Sequence, residues 1–216
     1  MSEWLDGVRY ANPVQRNELE KWCDIIGYDK YKEYFNLAKL NYENKEVPFG
    51  ILRECAIYDA KLSKTLFGVL RIVEFGLRSK IVDEISEDVF IEKYYPCLTK
   101  KTQVKSMSKK LKQGKISLHE FLQELVFGEL RKVLEKAIGD KLIDIDKEKL
   151  GKVNKFRNSI MHHKKILSAN VENLKNNINI LLAYIDDDKQ TEKFKNDINK
   201  LAKYNGKEVR LYVVKL

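Results

Sequence analysis

Apolar residues recur along this chain at helical spacing, three and four apart, and the breaks between apolar runs carry cap and turn residues. Asn12-Pro13 predicts a helix start, with proline in the first turn, and the pattern runs to about Gly27. A short second helix is predicted from Tyr31 to Tyr42, and Pro48-Phe49-Gly50 breaks the pattern. From Ile51 to Ile85 the apolar positions are dense: Leu52, Cys55, Leu62, Leu66, Val69, Val73, Leu77 and Ile81 among them. That stretch predicts one long helix, or two with a break near Lys61–Ser63. Tyr94-Tyr95-Pro96 ends the segment after it.

Ser117-Leu118-His119-Glu120 is a capping box, in which hydroxyl and carboxylate satisfy each other's backbone donors. It heads a predicted helix with Phe121, Leu122, Leu125, Val126, Leu130 and Leu134 inward, stopped by Gly139. Another helix is predicted over Asp146–Ile166. Ser168 caps the next, whose stripe is Val171, Leu174, Ile178, Leu181, Leu182 and Ile185. Asp186-Asp187-Asp188 terminates it, Thr191 to Tyr204 forms a last helix, and Val209 to Val214 is a short strand or tail. The fold class is all-α: a helical bundle read as a single domain, with N-terminal helices over 1–48, a core over 49–185 and a C-terminal helix and tail over 186–216.

Composition narrows the class. The chain is 44% apolar and 34% charged, which supports a buried core and argues against disorder. Three prolines and ten glycines are too few for the turns of a β-sandwich of this length. The longest strongly apolar run, Ile178 to Ile185, is too short and interrupted for a membrane span. Met1 to Arg16 has no apolar core of a secretory signal, so a cytoplasmic protein with no membrane partner is expected. Cys23, Cys55 and Cys97 form no Cys-x-x-Cys and no Cys/His zinc spacing, and read as buried reduced thiols. No metal site and no cofactor is expected.

The net charge of +9 is unevenly placed. Residues 1–99 hold 14 Lys/Arg against 17 Asp/Glu, and 116–216 hold 20 against 15. Between them, residues 100–115 hold seven lysines and no acid: Lys100, Lys101, Lys105, Lys109, Lys110, Lys112 and Lys115. Such a run reads as a solvated surface or as a phosphate-binding element; with no interleaved acids to form i,i+4 pairs, self-repulsion favours the second. Phosphate binding is therefore assigned to these lysines, and the resemblance given below implies that the phosphate is that of RNA.

Of the three histidines, His119 lies in the capping-box turn and reads as an exposed helix residue. The other two close the segment Arg157-Asn158-Ser159-Ile160-Met161-His162-His163. On a helix, Asn158 and His162 lie about 40° apart and share a face, whereas Arg157 lies about 140° from His162. One straight helix does not converge Arg157 and His162 on a small ligand; two facing copies do, and so does a helix that bends within the motif. By spacing alone such a segment is more often surface decoration than a site. No Gly-rich phosphate loop, Gly-x-Ser-x-Gly or His-Glu-x-x-His competes with it. Asp186-Asp187-Asp188 reads as a helix-ending loop rather than a cation site.

Arg157-Asn158-x-x-x-His162 resembles the signature of HEPN-domain ribonucleases. With His163, and with Phe49-Gly50-Ile51, Ile57-Tyr58-Asp59 and Val73-Glu74-Phe75-Gly76-Leu77-Arg78-Ser79-Lys80-Ile81 upstream, the ordered set resembles the Abi-like family of bacterial abortive-infection proteins. The resemblance covers about Phe49 to Ile185. It implies an all-helical, homodimeric, metal-independent endoribonuclease of antiviral defence or toxin–antitoxin type, with an antitoxin protein or a structured non-coding RNA as a possible partner. It implies catalytic roles for Arg157, Asn158 and His162, and supporting roles for His163, Glu74 and Arg78.

The chemistry suits those residue types. Histidine titrates near neutrality and can take a proton from a ribose 2′-OH or give one to the 5′-oxygen. A guanidinium stabilises charge building on phosphoryl oxygens. Asn158 would hold either the imidazole tautomer or the phosphate; His163 is either a second imidazole or a phosphate and packing residue. Glu74 and Arg78 have the spacing of an i,i+4 pair. Two other classes stay open: a non-catalytic HEPN-like module binding RNA or a nucleotide, and a helical protein-interaction module.

Overall fold

The computed structural model describes residues 3–42, 45–99, 101–162, 164–168, 170–202 and 214–216. The fold is all-α, 76% helical, with ten helices among the described residues. These are α1 (Pro13–Ile26), α2 (Tyr28–Lys39), α3 (Phe49–Glu84), α4 (Glu87–Val89), α5 (Lys101–Lys112), α6 (Leu118–Gln123), α7 (Phe127–Gly139), α8 (Lys147–Met161), α9 (Val171–Leu182) and α10 (Asp188–Ala202). A parallel pair of two-residue strands, β1 (Val8–Arg9) and β2 (Val47–Pro48), joins Val8 to Val47 and Arg9 to Pro48. Most of the C-terminal strand expected over Val209–Val214 lies outside the described residues.

The chain divides into two compact units, and α3, α8 and α9 each contribute residues to both. The first comprises Met1–Gly68, Asn158–Asn179 and Asp188–Leu216. Here α1 starts as its residues dictate: Pro13 is its first residue, and the Asn12 side chain accepts the Gln15 N–H. Gly27, at φ +107°, makes the turn into α2, a backbone conformation that a side chain would strain. The core of this unit is built from Leu19, Tyr34, Leu52, Cys55, Leu62, Leu66, Ile178 and Ile198, each almost completely buried.

The second unit comprises Val69–Arg157 and Ile180–Asp187. Val73, Leu77 and Ile81 of α3, Phe121 and Leu122 of α6, Leu130 and Leu134 of α7, and Leu150 and Val153 of α8 are buried within it. Phe90 stacks edge-on against Phe121 with ring centres 5.7 Å apart. After α4 the chain passes through one π turn (Phe90–Tyr94) and one 3-10 turn (Tyr95–Cys97).

Several boundaries differ from the sequence reading. There is no break near Lys61–Ser63: α3 runs unbroken for 36 residues because Leu62 continues the buried stripe. Pro48 stands just before α3 and Phe49-Gly50 lie inside it. The helix expected after the capping box is two helices, and Val126, expected inward, is 47% exposed at the start of α7. Asn170, not Ser168, caps α9, its side chain accepting the Asn173 N–H. The helix expected to reach Ile166 ends at Met161.

Candidate functional site

Glu74 and Arg78 lie one turn apart on α3, and in the second unit they meet Arg157 of α8. Arg157 Nε donates to Glu74 Oε1 at 3.1 Å, and Arg78 Nη1 donates to Glu74 Oε2 at 3.4 Å and to the Glu74 carbonyl at 3.1 Å. Glu74 therefore bridges two guanidiniums. All three side chains are mostly buried, with 12–19% exposure, and the Arg157 guanidinium also lies over the Phe127 ring, 5.5 Å from its centre. Burying three charges is tolerable because each is paired and hydrogen-bonded.

Arg78 does more than pair with its neighbour. Its Nε donates to the Leu122 carbonyl at 3.0 Å and its Nη2 to the Leu125 carbonyl at 3.1 Å. Those carbonyls sit where α6 stops and α7 has not begun, so the guanidinium caps the break that the apolar pattern had read as continuous helix. Glu74 and Phe127 take the Arg157 side chain inward.

Asn158 lies in the last turn of α8, His162 is the residue just past its end, and both are exposed. The His162 N–H donates to the Asn158 carbonyl at 3.1 Å, which keeps the two one helical turn apart on one face. His163 and Lys100 lie outside the described residues. Immediately beyond, the chain leaves the helix. The buried Asp59 carboxylate accepts the N–H groups of Ile166 and Leu167 at 2.8 and 2.9 Å, and the Tyr34 hydroxyl at 2.7 Å, with Lys30 Nζ 3.8 Å away. Burial and the neighbouring carboxylate push the Tyr34 phenol well above its ordinary value. Asp59 stands at a core position of the α3 stripe, between Cys55 and Leu62, and that spacing was the sequence signal for a carboxylate with buried partners.

Of the remaining lysines, Lys101 opens α5. Lys105, Lys109, Lys110, Lys112 and Lys115 are exposed. Lys105, Lys109 and Lys112 fall on one face of α5, while Lys110 points about 140° from Lys105. Lys112 Nζ lies 5.3 Å from the Tyr95 ring centre. At the C-terminus of α5, Gly114 at φ +63° closes a Schellman turn: its N–H donates to the Leu111 carbonyl and that of Lys115 to the Lys110 carbonyl. Upstream of α5, the buried Glu129 carboxylate accepts the Thr99 N–H at 2.7 Å and its hydroxyl at 2.8 Å; Lys132 pairs with both Glu129 and Thr99.

His119, expected to be an exposed helix residue, is half-buried: its ring lies 5.7 Å from that of Phe75, edge-on, and it contacts the Gln123 amide at 3.0 Å. Cys23 and Cys55 are buried, and burial pushes their thiols up to about 11 and about 12; Cys97 is only half-buried, its thiol turned to the Lys93 carbonyl. Among the described residues no group of three or more His, Cys, Asp or Glu could hold a metal ion, and no helix is long and apolar enough to cross a membrane. In comparisons with known proteins, no family model, no curated protein and no solved structure matches this chain.

Proposed function

We propose that the chain is a metal-independent endoribonuclease of bacterial abortive-infection or toxin–antitoxin defence, working as a homodimer. One observation carries the reading: Asn158 and His162 are both exposed, one turn apart, directly after an arginine whose side chain Glu74 holds. In the proposed reaction a ribose 2′-OH attacks the adjacent phosphorus as an imidazole takes its proton. The P–O5′ bond breaks, and O5′ leaves with a proton from an imidazolium. Products carry a 2′,3′-cyclic phosphate and a 5′-hydroxyl. His162 of one copy serves as the base and, once protonated, as the acid, and Arg157 of the facing copy stabilises the phosphoryl charge. Lys105, Lys109 and Lys112 on one face of α5 bind the RNA backbone, and an antitoxin protein or structured RNA is the proposed regulator.

The test is incubation of the purified chain with end-labelled RNA and with DNA of the same sequence. RNA alone should be cut, with EDTA present, and His162→Ala should lose about a hundredfold or more in rate. Cleavage of DNA, EDTA inhibition or full activity of His162→Ala would overturn the proposal. The engagement of Arg157 by Glu74 and Phe127 favours a second reading, a non-catalytic RNA-binding module. Tight RNA binding without cleavage under all conditions would select it.

A further inference from the structure

Phe75 is 56% exposed, on the side of α3 away from the buried stripe of Val69, Val73 and Leu77. One turn earlier on the same face stands the exposed Arg71. The His119 ring meets it edge-on at 5.7 Å with an interplanar angle of 75°. With the two planes near-perpendicular, the histidine covers at most one face of the Phe75 ring. The Gln123 amide in turn holds the His119 ring in place at 3.0 Å.

What would occupy this ring follows from its surroundings. His119 belongs to α6, which packs against α5, and only the Gly114 turn and the capping box separate the two helices. The lysine helix therefore leads directly into the element that carries His119. A flat exposed ring with a guanidinium one turn away, at the end of an acid-free run of lysines, matches a strand of nucleic acid that offers both a phosphate backbone and the face of a base. A base inside a duplex has no free face to offer.

We infer that Phe75, supported by His119, is a stacking platform for an unpaired base, and that the RNA taken by this chain is single-stranded at that point. The inference rests on the proposed RNA reading and adds its substrate class. Fluorescence anisotropy of the full chain on a 2′-O-methylated, uncleavable single strand, and on a duplex of the same sequence, tests it. Phe75→Leu keeps the apolar volume and removes the ring; it should weaken single-strand binding at least about fivefold and leave duplex binding unchanged, whereas Phe75→Trp retains the single-strand affinity. Because the side chain is exposed, the variant folds as the parent does, and its melting temperature checks this.

Equal affinity of Phe75→Leu and the parent for the single strand overturns the inference, and so does an equal loss on single strand and duplex. Unchanged RNA affinity with a change of oligomeric state in light scattering also overturns it, and makes Phe75 a contact between copies of this chain. If the unmodified chain binds neither RNA, the RNA reading itself fails, a result that does not depend on the variant.

Discussion

Asp59 and Glu74 are both carboxylates on α3, and they do different work. Asp59 is fully buried at a stripe position and offsets its desolvation with two backbone N–H donors and the Tyr34 hydroxyl. Those two amides belong to residues that would otherwise have extended α8, so the helix stops at Met161 and leaves His162 at its end. Glu74 acts through charge: it is the shared acceptor of Arg78 and Arg157. Glu74→Ala should remove a charged hydrogen bond from each arginine, destabilising by about 2 kcal/mol, or roughly 4–8 °C in melting for a chain of this size. Glu74→Gln, which keeps the acceptor oxygen, should lose less. Thermal melts followed by circular dichroism check both, and an unchanged melting temperature for Glu74→Ala would show that the bridge contributes nothing. Arg157→Ala should also melt lower, a consequence its inward placement imposes. Arg157, Asn158 and His162 were legible in the sequence only as candidates, whereas the pairing of Glu74 with Arg78 was legible by their spacing. The third partner was not, because Glu74 and Arg157 are 83 residues apart and local spacing carries no information about such a contact.

At the scale of elements, the helix starts were the most legible feature. Asn12 before Pro13 caps α1, and the Ser117–Glu120 capping box heads α6 with both reciprocal bonds formed. The Glu120 carboxyl is held below its ordinary value by the Ser117 backbone N–H, so its contribution is present above the ordinary carboxylate range and is lost as pH falls through the lowered value. The α6–α7 break was illegible since its apolar residues keep helical spacing across it; Arg78 decides it by taking two carbonyls. For α5 the structure sharpens what the lysine run implies. If Lys105, Lys109 and Lys112 track an RNA backbone, changing all three to Gln should reduce the magnitude of the slope of log K against log salt by about two units, at ~0.7 per phosphate contact on a single strand. Lys110→Gln, on the other side of the helix, should leave the slope unchanged. Anisotropy titrations at several salt concentrations measure both, and an unaltered slope in the triple variant would make the run a solvated face.

At the scale of the whole molecule, the proposed dimer gives the composite site a direct check. Mixing the inactive variants Arg157→Ala and His162→Ala should restore part of the RNA cleavage if one copy supplies Arg157 and the other His162. A monomer in light scattering at micromolar concentration, or no recovery in the mixture, would count against an intermolecular site. The charge asymmetry was already complete in the sequence: seven lysines without an acid in residues 100–115, in a chain of net charge +9. So was the all-α class, because helical periodicity, caps and the scarcity of Gly and Pro are properties of neighbouring residues and i,i+4 bonds. What the sequence by itself determined is therefore local: which segments are helical, where most begin, where positive charge lies, and which residues could carry chemistry. What only the tertiary structure decided is where α8 ends, where α6 parts from α7, how Arg157 is anchored and which aromatic ring stays in solvent. The first three depend on a buried charge finding its partner across the fold, Asp59 to Ile166 over 107 residues and Arg78 to Leu122 over 44. A charge leaving water must be paired wherever the chain brings a partner, and sequence proximity does not set that place.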